Sequence, residues 1–228
     1  MLLGFNTGRP EKFTWSDKID IFKELHATAI EFSCMDDKRW ELMKELKADD
    51  IKFFKYVSIH APTERDFIDD SETHSILEKI EQASKKFDVD HVVFHPHEIK
   101  DWNIFNKYSF SVAIENMDTS KQSCRSVEDL INIFKKQDIK MVLDVNHCYA
   151  NDNSLKLARE MYKNFRELIV EIHLSGYSSN HDRLYETKQA EIIKAIQDTE
   201  APIIIESPMR NRQDIMREFN YIKNNLIG

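Results

Sequence analysis

Eight short apolar runs, rich in Val, Ile and Phe, recur along the chain, and they restrict its fold more than any other feature. They are residues 2–6 (LLGFN), 28–32 (TAIEF), 55–60 (KYVSIH), 91–95 (HVVFH), 110–115 (FSVAIE), 140–144 (KMVLD), 168–173 (LIVEIH) and 201–206 (APIIIE). Runs with this much continuous apolar character suit strands buried on both faces. Most of the intervening segments place apolar residues at helical spacing, as in Ile76, Ile80, Ala83, Phe87 and in Leu155, Leu157, Ala158, Met161, Phe165. Strands and helices alternating at about 30 residues per unit predict eight parallel strands closed into an α/β (β/α)8 TIM barrel. The tightest connection, residues 96–109, predicts a short or irregular fourth helix. An open doubly wound sheet would call for a GxGxxG turn after the first strand, which is absent in a chain with only four glycines. No linker or shift in composition divides the chain, so residues 1–228 read as a single TIM-barrel domain.

Charge narrows the partners. A net charge of −8 gives no general attraction to nucleic acid. Arg9, Lys12, Lys38, Arg65, Lys121 and Arg183 fall in loops predicted on the C-terminal face, a sparse basic set from which Arg183 stands out as a substrate-binding residue for an anion. No stretch approaches 18 apolar residues and the start lacks a signal-peptide pattern, so a cytoplasmic protein without a membrane partner is expected. Cys34, Cys124 and Cys148 are odd in number and lack CxxC spacing, which points to free thiols.

The chemistry of such barrels sits where the strands end. From the third run onward the final residues are His60, His95, Glu115, Asp144, His173 and Glu206. With nine histidines and forty acidic residues among 228, six such endings in succession would arise by chance with a probability of about 10⁻⁴. Singly, each residue has an ordinary structural role open to it, a buried imidazole on a backbone carbonyl or a carboxylate paired with Arg or Lys. Together, unpaired and converging on one mouth, they would repel and desolvate one another, and cations resolve that conflict. Neutral imidazoles with carboxylates are the ligand set of zinc, with manganese or magnesium as alternatives. His147 follows Asp144, and His181 lies in the loop after the seventh strand. Glu31, Asn116, Asn146 and Ser175 are candidates to support the ligands or to touch substrate, while His26, His74, His91 and His97 read as surface or packing residues.

The motifs SIHAP, VFHP, AIEN, LDVNHC, EIHLSG and IIIESP resemble, in order and over essentially the whole chain, the strand-end motifs of the xylose isomerase-like TIM-barrel superfamily. That group includes endonuclease IV (AP endonuclease family 2) and many sugar isomerases and epimerases. The endonuclease IV pattern implies one zinc on His60, His95 and Glu115, a second on Glu115, Asp144, His173 and Glu206, and His147 and His181 toward a third. The chain departs from it in carrying His181-Asp182-Arg183 in a short loop where that family has Asp-Arg-His, and in lacking long DNA-probing loops. The isomerase and epimerase pattern needs only Glu115, Asp144, His173 and Glu206 on a single ion.

The full ligand set favours a two-metal phosphoester hydrolase acting on DNA or a smaller phosphorylated substrate, with Glu115 and Glu206 as the catalytic carboxylates. The alternative is a metal-dependent sugar or sugar-phosphate isomerase or epimerase, in which the same two glutamates exchange protons with a sugar-like substrate.

Overall fold

The structure, a computed structural model, describes residues 1–8, 13–196 and 198–227; Arg9 and Lys12 lie outside the described residues. The strands are β1 (Leu3–Asn6), β2 (Ala29–Ser33), β3 (Tyr56–His60), β4 (His91–Phe94), β5 (Val112–Glu115), β6 (Lys140–Asp144), β7 (Ile169–Leu174), β8 (Gly176–Tyr177), β9 (His181–Asp182) and β10 (Ile203–Ile205). Eight of these close a parallel barrel in the order β1-β10-β7-β6-β5-β4-β3-β2, and β8 and β9 form a small antiparallel hairpin beyond the end of β7. The predicted (β/α)8 architecture is thus the observed one.

Helices α1 (Trp15–Glu24), α2 (Asp37–Glu45), α3 (Ala48–Ile51), α4 (Ser71–Phe87), α5 (Val127–Phe134), α6 (Val145–Asn151), α7 (Lys156–Phe165), α8 (Leu184–Thr187), α9 (Ala190–Lys194) and α10 (Arg212–Ile227) fill the connections. Their starts are locally encoded. Thr14 and Asp17 form a capping box at α1, Ser126 and Asp129 another at α5, and the Asp70 carboxylate accepts from Thr73 N at 2.7 Å at α4. Residues 96–109, which join β4 to β5, hold two short 3₁₀ turns, Pro96–Glu98 and Trp102–Lys107, in place of an α-helix.

Strand pleating sorts the side chains. Leu3, Phe5, Ile30 and Phe32 face outward into the large core against the helices, where the Phe5 ring stacks on Phe22 and Phe219 at 4.4 and 5.5 Å. Inside the barrel lie two small apolar clusters, Ala29, Tyr56 and Ile204, and Val93, Ala113 and Val142. Continuing each strand by two residues from these positions leads to Glu31, Ser58, His95, Glu115, Asp144 and Glu206, so the interior changes from apolar below to polar above. Among the described residues no helix is long and apolar enough to cross a membrane.

Gly4 on β1 permits a close approach in the barrel wall: a Cβ there would sit 1.7 Å from the Ala29 carbonyl oxygen on β2. The obstacle is backbone, so relief requires the strands to part. Gly4→Ala is expected to destabilise the fold by about 3 kcal/mol, the upper range for overpacking, measured as a lowered midpoint in chemical denaturation. An unchanged midpoint would contradict this reading of the wall.

Candidate metal centre

The barrel brings the strand ends together around one carboxylate. Glu115, 1% exposed at the end of β5, has Oε2 at 3.4 Å from both His60 Nε2 and His95 Nε2. Its Oε1 lies 3.1 Å from His147 Nδ1 and 3.6 Å from His173 Nδ1. Glu206, just past β10, places Oε2 3.3 Å from His173 Nδ1 and 3.9 Å from His181 Nδ1. His60, Glu115 and Asp144 end their strands as expected, His173 stands one residue before the end of β7, and His95 and Glu206 stand one residue beyond their strands because β4 and β10 end early.

Among the described residues five groups hold candidate ligand atoms within 4.8 Å of one another. Three gather around Glu115 and Asp144, namely His60, His95 and Glu115; Glu115, Asp144, His173 and Glu206; and Asp144, His147 and His181, while the other two are His95, His97 and Glu98, and Glu31, Glu171 and His173. Whether they fit a cation is answered by their unpaired atoms. Glu115 Oε1, Asp144 Oδ2 and His173 Nδ1 are buried without a hydrogen-bond partner. Bare buried acceptors are costly unless something positive meets them, and these converge on one place. The donor set fits a divalent metal.

The rings are held by their other nitrogens. His60 Nδ1 is 3.0 Å from the Ala61 carbonyl oxygen and His147 Nδ1 is 2.8 Å from that of Asn116, which as N–H donors would leave both Nε2 atoms bare. The Asn116 amide donates to Asp144 O at 2.9 Å and its oxygen accepts from Asp144 N at 2.8 Å, tying the end of β5 to that of β6. Asp144 in turn accepts from His147 N at 2.8 Å and so caps α6. Asn146 donates to Gly176 O at 2.6 Å, and Ser175 Oγ lies 2.8 Å from His181 Nδ1, so both steady the hairpin that carries His181. Glu31 accepts from Asn6 Nδ2 at 2.5 Å.

A cavity of about 360 Å³ opens above the cluster, lined by His60, His95, Glu115, His147, His181 and Glu206 with Asn6, Ser33, Met35 and Arg39 among the others. Arg183 is not in that lining: its guanidinium donates to Pro208 O at 3.2 Å and to Asp214 and Glu186 at 2.9 Å. Arg39 and Asn6 went unread in the sequence. Arg39 is carried by α2 and anchored on Ser33 Oγ at 2.8 Å, and no strand-end rule finds a helical residue. Asn6 closes the first apolar run and would have been found had amides been counted with acids and imidazoles. His97 packs beside His95, with ring centroids 5.7 Å apart, and its Nε2 lies 3.8 Å from Glu98.

Electrostatics in the metal-free site follow from crowding. Burial works against a charged His60, but its bond to Glu115 and the carboxylates of Glu31 and Glu206 push it up to about 9. His147, likewise buried, is raised to about 10 by Asp144 and Glu115. Burial would raise Glu115, yet His147, His173 and His60 hold it well below the usual carboxylate range. Asp144 goes the other way, up to about 6, because burial dominates and Glu115 adds to it. Without metal, the carboxylates beside His60, His147 and His173 thus favour the protonated form of these three rings.

Neither a family model nor a curated protein sequence matches this chain. Its three-dimensional structure does match solved ones. A xylose isomerase domain-containing protein from Salmonella typhimurium LT2 superposes with a TM-score of 0.74 at 12% identity, covering 99% of this chain and 97% of that one. D-psicose 3-epimerase with D-tagatose from Clostridium cellulolyticum H10 gives 0.68 at 12%, covering 98% and 97%. An AP endonuclease of family 2 from Brucella melitensis gives 0.65 at 10%, covering 94% and 95%. The fold is therefore a closed (β/α)8 barrel with acids and imidazoles gathered at its mouth. The structures it superposes on include xylose isomerase-like barrels, and at 10–12% identity the likeness is one of fold.

Metal uptake must displace the protons these histidines hold. Because His60 and His147 sit near 9 and 10, both are protonated at pH 7 in the metal-free protein, and both must be neutral to bind a cation. His173, buried but raised well above the usual imidazole range by Glu206 and Glu31, adds a third, so zinc binding at pH 7 is expected to release about three protons per chain, with affinity rising until the pH passes 9–10. Calorimetric titrations in buffers of different ionisation enthalpy check this; heats independent of buffer would contradict it.

Proposed function

We propose that the chain is a metal-dependent phosphoester hydrolase resembling endonuclease IV. The observation that carries this reading is Glu115: one oxygen faces His60 and His95 while the other faces His147 and His173. A single-ion site needs no ligands on the far side of that carboxylate. On this reading His60, His95 and Glu115 hold one ion, Glu115, Asp144, His173 and Glu206 a second, and Asp144, His147 and His181 supply ligands for a third. Zinc is the metal that the nitrogen-rich set favours. When bound, such ions provide Lewis acidity, making water more acidic and offsetting charge that builds on phosphoryl oxygens.

The protein's own groups do the rest. Glu206 stands at the edge of the cavity, 14% exposed at its side chain, and Asn6 Nδ2 donates to its Oε1 at 3.2 Å. Asn6 thus steadies Oε1 while Oε2, turned toward His173 Nδ1, would hold the ion, and the carboxylate would draw a proton from an attacking water beside it. Glu115 is fully enclosed and acts as the shared ligand that fixes the spacing of the two sides. Arg183, braced by Glu186 and Asp214, would serve an anionic substrate by firming the loop that follows the His181 hairpin. A cavity of about 360 Å³ suits a phosphate with one sugar, whether free or flipped from a strand.

A second reading has its own support. Glu115, Asp144, His173 and Glu206 form a complete four-ligand group without His60 and His95. On one ion, with both histidines donating to substrate hydroxyls, the site would suit a sugar or sugar-phosphate isomerase or epimerase, Glu115 and Glu206 moving protons on carbon.

Elemental mass spectrometry of the purified chain and of a His60→Ala/His95→Ala variant separates the two. The hydrolase reading expects two or more ions per chain, falling by one in the variant, and phosphodiester cleavage that drops by about 10²- to 10⁴-fold in Glu206→Gln. One ion unchanged in the variant, together with deuterium from solvent entering a sugar product, would transfer the assignment to the isomerase. Full hydrolytic activity in Glu206→Gln would remove that residue from its role.

A further inference from the structure

Glu171 is a buried carboxylate that the proposed chemistry leaves unused. It lies on β7 two residues before His173, so the pleat turns both side chains into the barrel with Glu171 one layer deeper. Both are 0% exposed. Among the described ion pairs Glu171 meets no lysine or arginine; its partner is His173, with Oε1 2.6 Å from Nε2, while Oε2 has no hydrogen-bond partner. Below it lies Tyr56, whose hydroxyl is held well above the usual phenol range by burial and by Glu171 and so keeps its proton. A carboxylate this enclosed with no cation beside it weakens the fold, which calls for another reason for its presence.

His173 supplies that reason. Its Nδ1 faces Glu115 and Glu206 with no hydrogen-bond partner, and on the metal reading it is the ligating nitrogen. A neutral imidazole with a bare Nδ1 carries its hydrogen on Nε2, and that hydrogen needs an acceptor where no bulk water reaches. His60 and His147 use backbone carbonyls and present Nε2; His173 is reversed and faces a side-chain carboxyl oxygen, a partner that makes a ligating ring a stronger donor to a cation. Glu31 also approaches Nε2, at 3.3 Å, but its other oxygen is engaged by Asn6 at 2.5 Å. One N–H serves one acceptor at full strength, and the shorter contact takes it.

We propose that Glu171 is a positioning residue: it accepts the Nε2–H hydrogen bond of His173, fixes that tautomer and aims Nδ1 at the metal ligands Glu115 and Glu206. The inference rests on the metal reading of the site. Its test is long-range proton–nitrogen NMR on the full chain, labelled in its histidines and loaded with zinc, beside zinc competition titrations of wild type, E171Q, E171A and E31Q. The expected spectrum shows His173 with its hydrogen on Nε2, unchanged in E31Q. E171A should bind one zinc about 10- to 100-fold more weakly, and E171Q, whose amide oxygen can accept the same bond, should recover to within about tenfold of wild type. A hydrogen found on Nδ1 overturns the inference, and because that is read on wild type it needs no variant to fold. Two zinc ions bound as tightly by E171A as by wild type overturn this inference alone; wild-type protein that takes up no zinc overturns the proposed function and this inference with it.

Discussion

The carboxylate of Glu115 sits among four imidazoles drawn from four segments of the chain: His60 from β3, His95 after β4, His147 from α6 and His173 from β7. None of these groups is near another in sequence, so the cluster exists only when the barrel is closed. Burying Glu115 at 1% exposure carries a large desolvation cost, offset only by positive charge on both of its oxygens. Protons on the histidines can supply that charge, and so can divalent ions. Protonated histidines and a bound cation are therefore two ways of satisfying the same atoms.

The rest of the interior is graded to make this tolerable. Ala29, Tyr56 and Ile204 with Val93, Ala113 and Val142 form dry packing at the bottom, and the helices pack on the outside through Phe5, Phe22 and Phe219. These layers carry the stability, as apolar burial does in general. Above them Glu31 and Glu171 form an intermediate polar layer that touches the ligands from beneath. The candidate ligands stand at or beside the ends of strands whose positions are set by packing far from them, which is why side chains that repel one another can be held converging on one mouth.

Much of this was legible in the sequence, for a physical reason. Parallel strands covered on both faces must be apolar throughout, so their ends show as abrupt acids and imidazoles, and the barrel rule assigns those ends to one mouth. Glu31 and Glu171 were harder. They interrupt the runs AIEF and VEIH in plain view, but a charge inside a strand run fits a structural ion pair as well as a ligand support, and only the three-dimensional neighbour, His173, distinguishes them. Arg183 illustrates another limit. Its partner Asp214 lies 31 residues away on α10, and no local pattern announces a contact of that span. Boundaries failed where the helical cap competes with the strand, as at His95, which begins the Pro96–Glu98 turn.

Charge at the mouth ties the number of ions to the kind of substrate. The candidate ligands include three carboxylates, Glu115, Asp144 and Glu206, and histidines that are neutral when they ligate. One divalent ion leaves this set with a net negative charge, a setting that suits a neutral polyol and resists a phosphate. Two divalent ions leave the ligand set itself net positive, with Glu31 and Glu171 one layer deeper, and a phosphate at the mouth then meets the ions first even though the chain as a whole carries −8. The local field of bound ions dominates a distant, screened surface charge within a Debye length of about 8 Å. Acidity of the whole protein is thus no argument against a phosphoester substrate. The ligands on the far side of Glu115, His60 and His95, are what would turn the sign of the mouth.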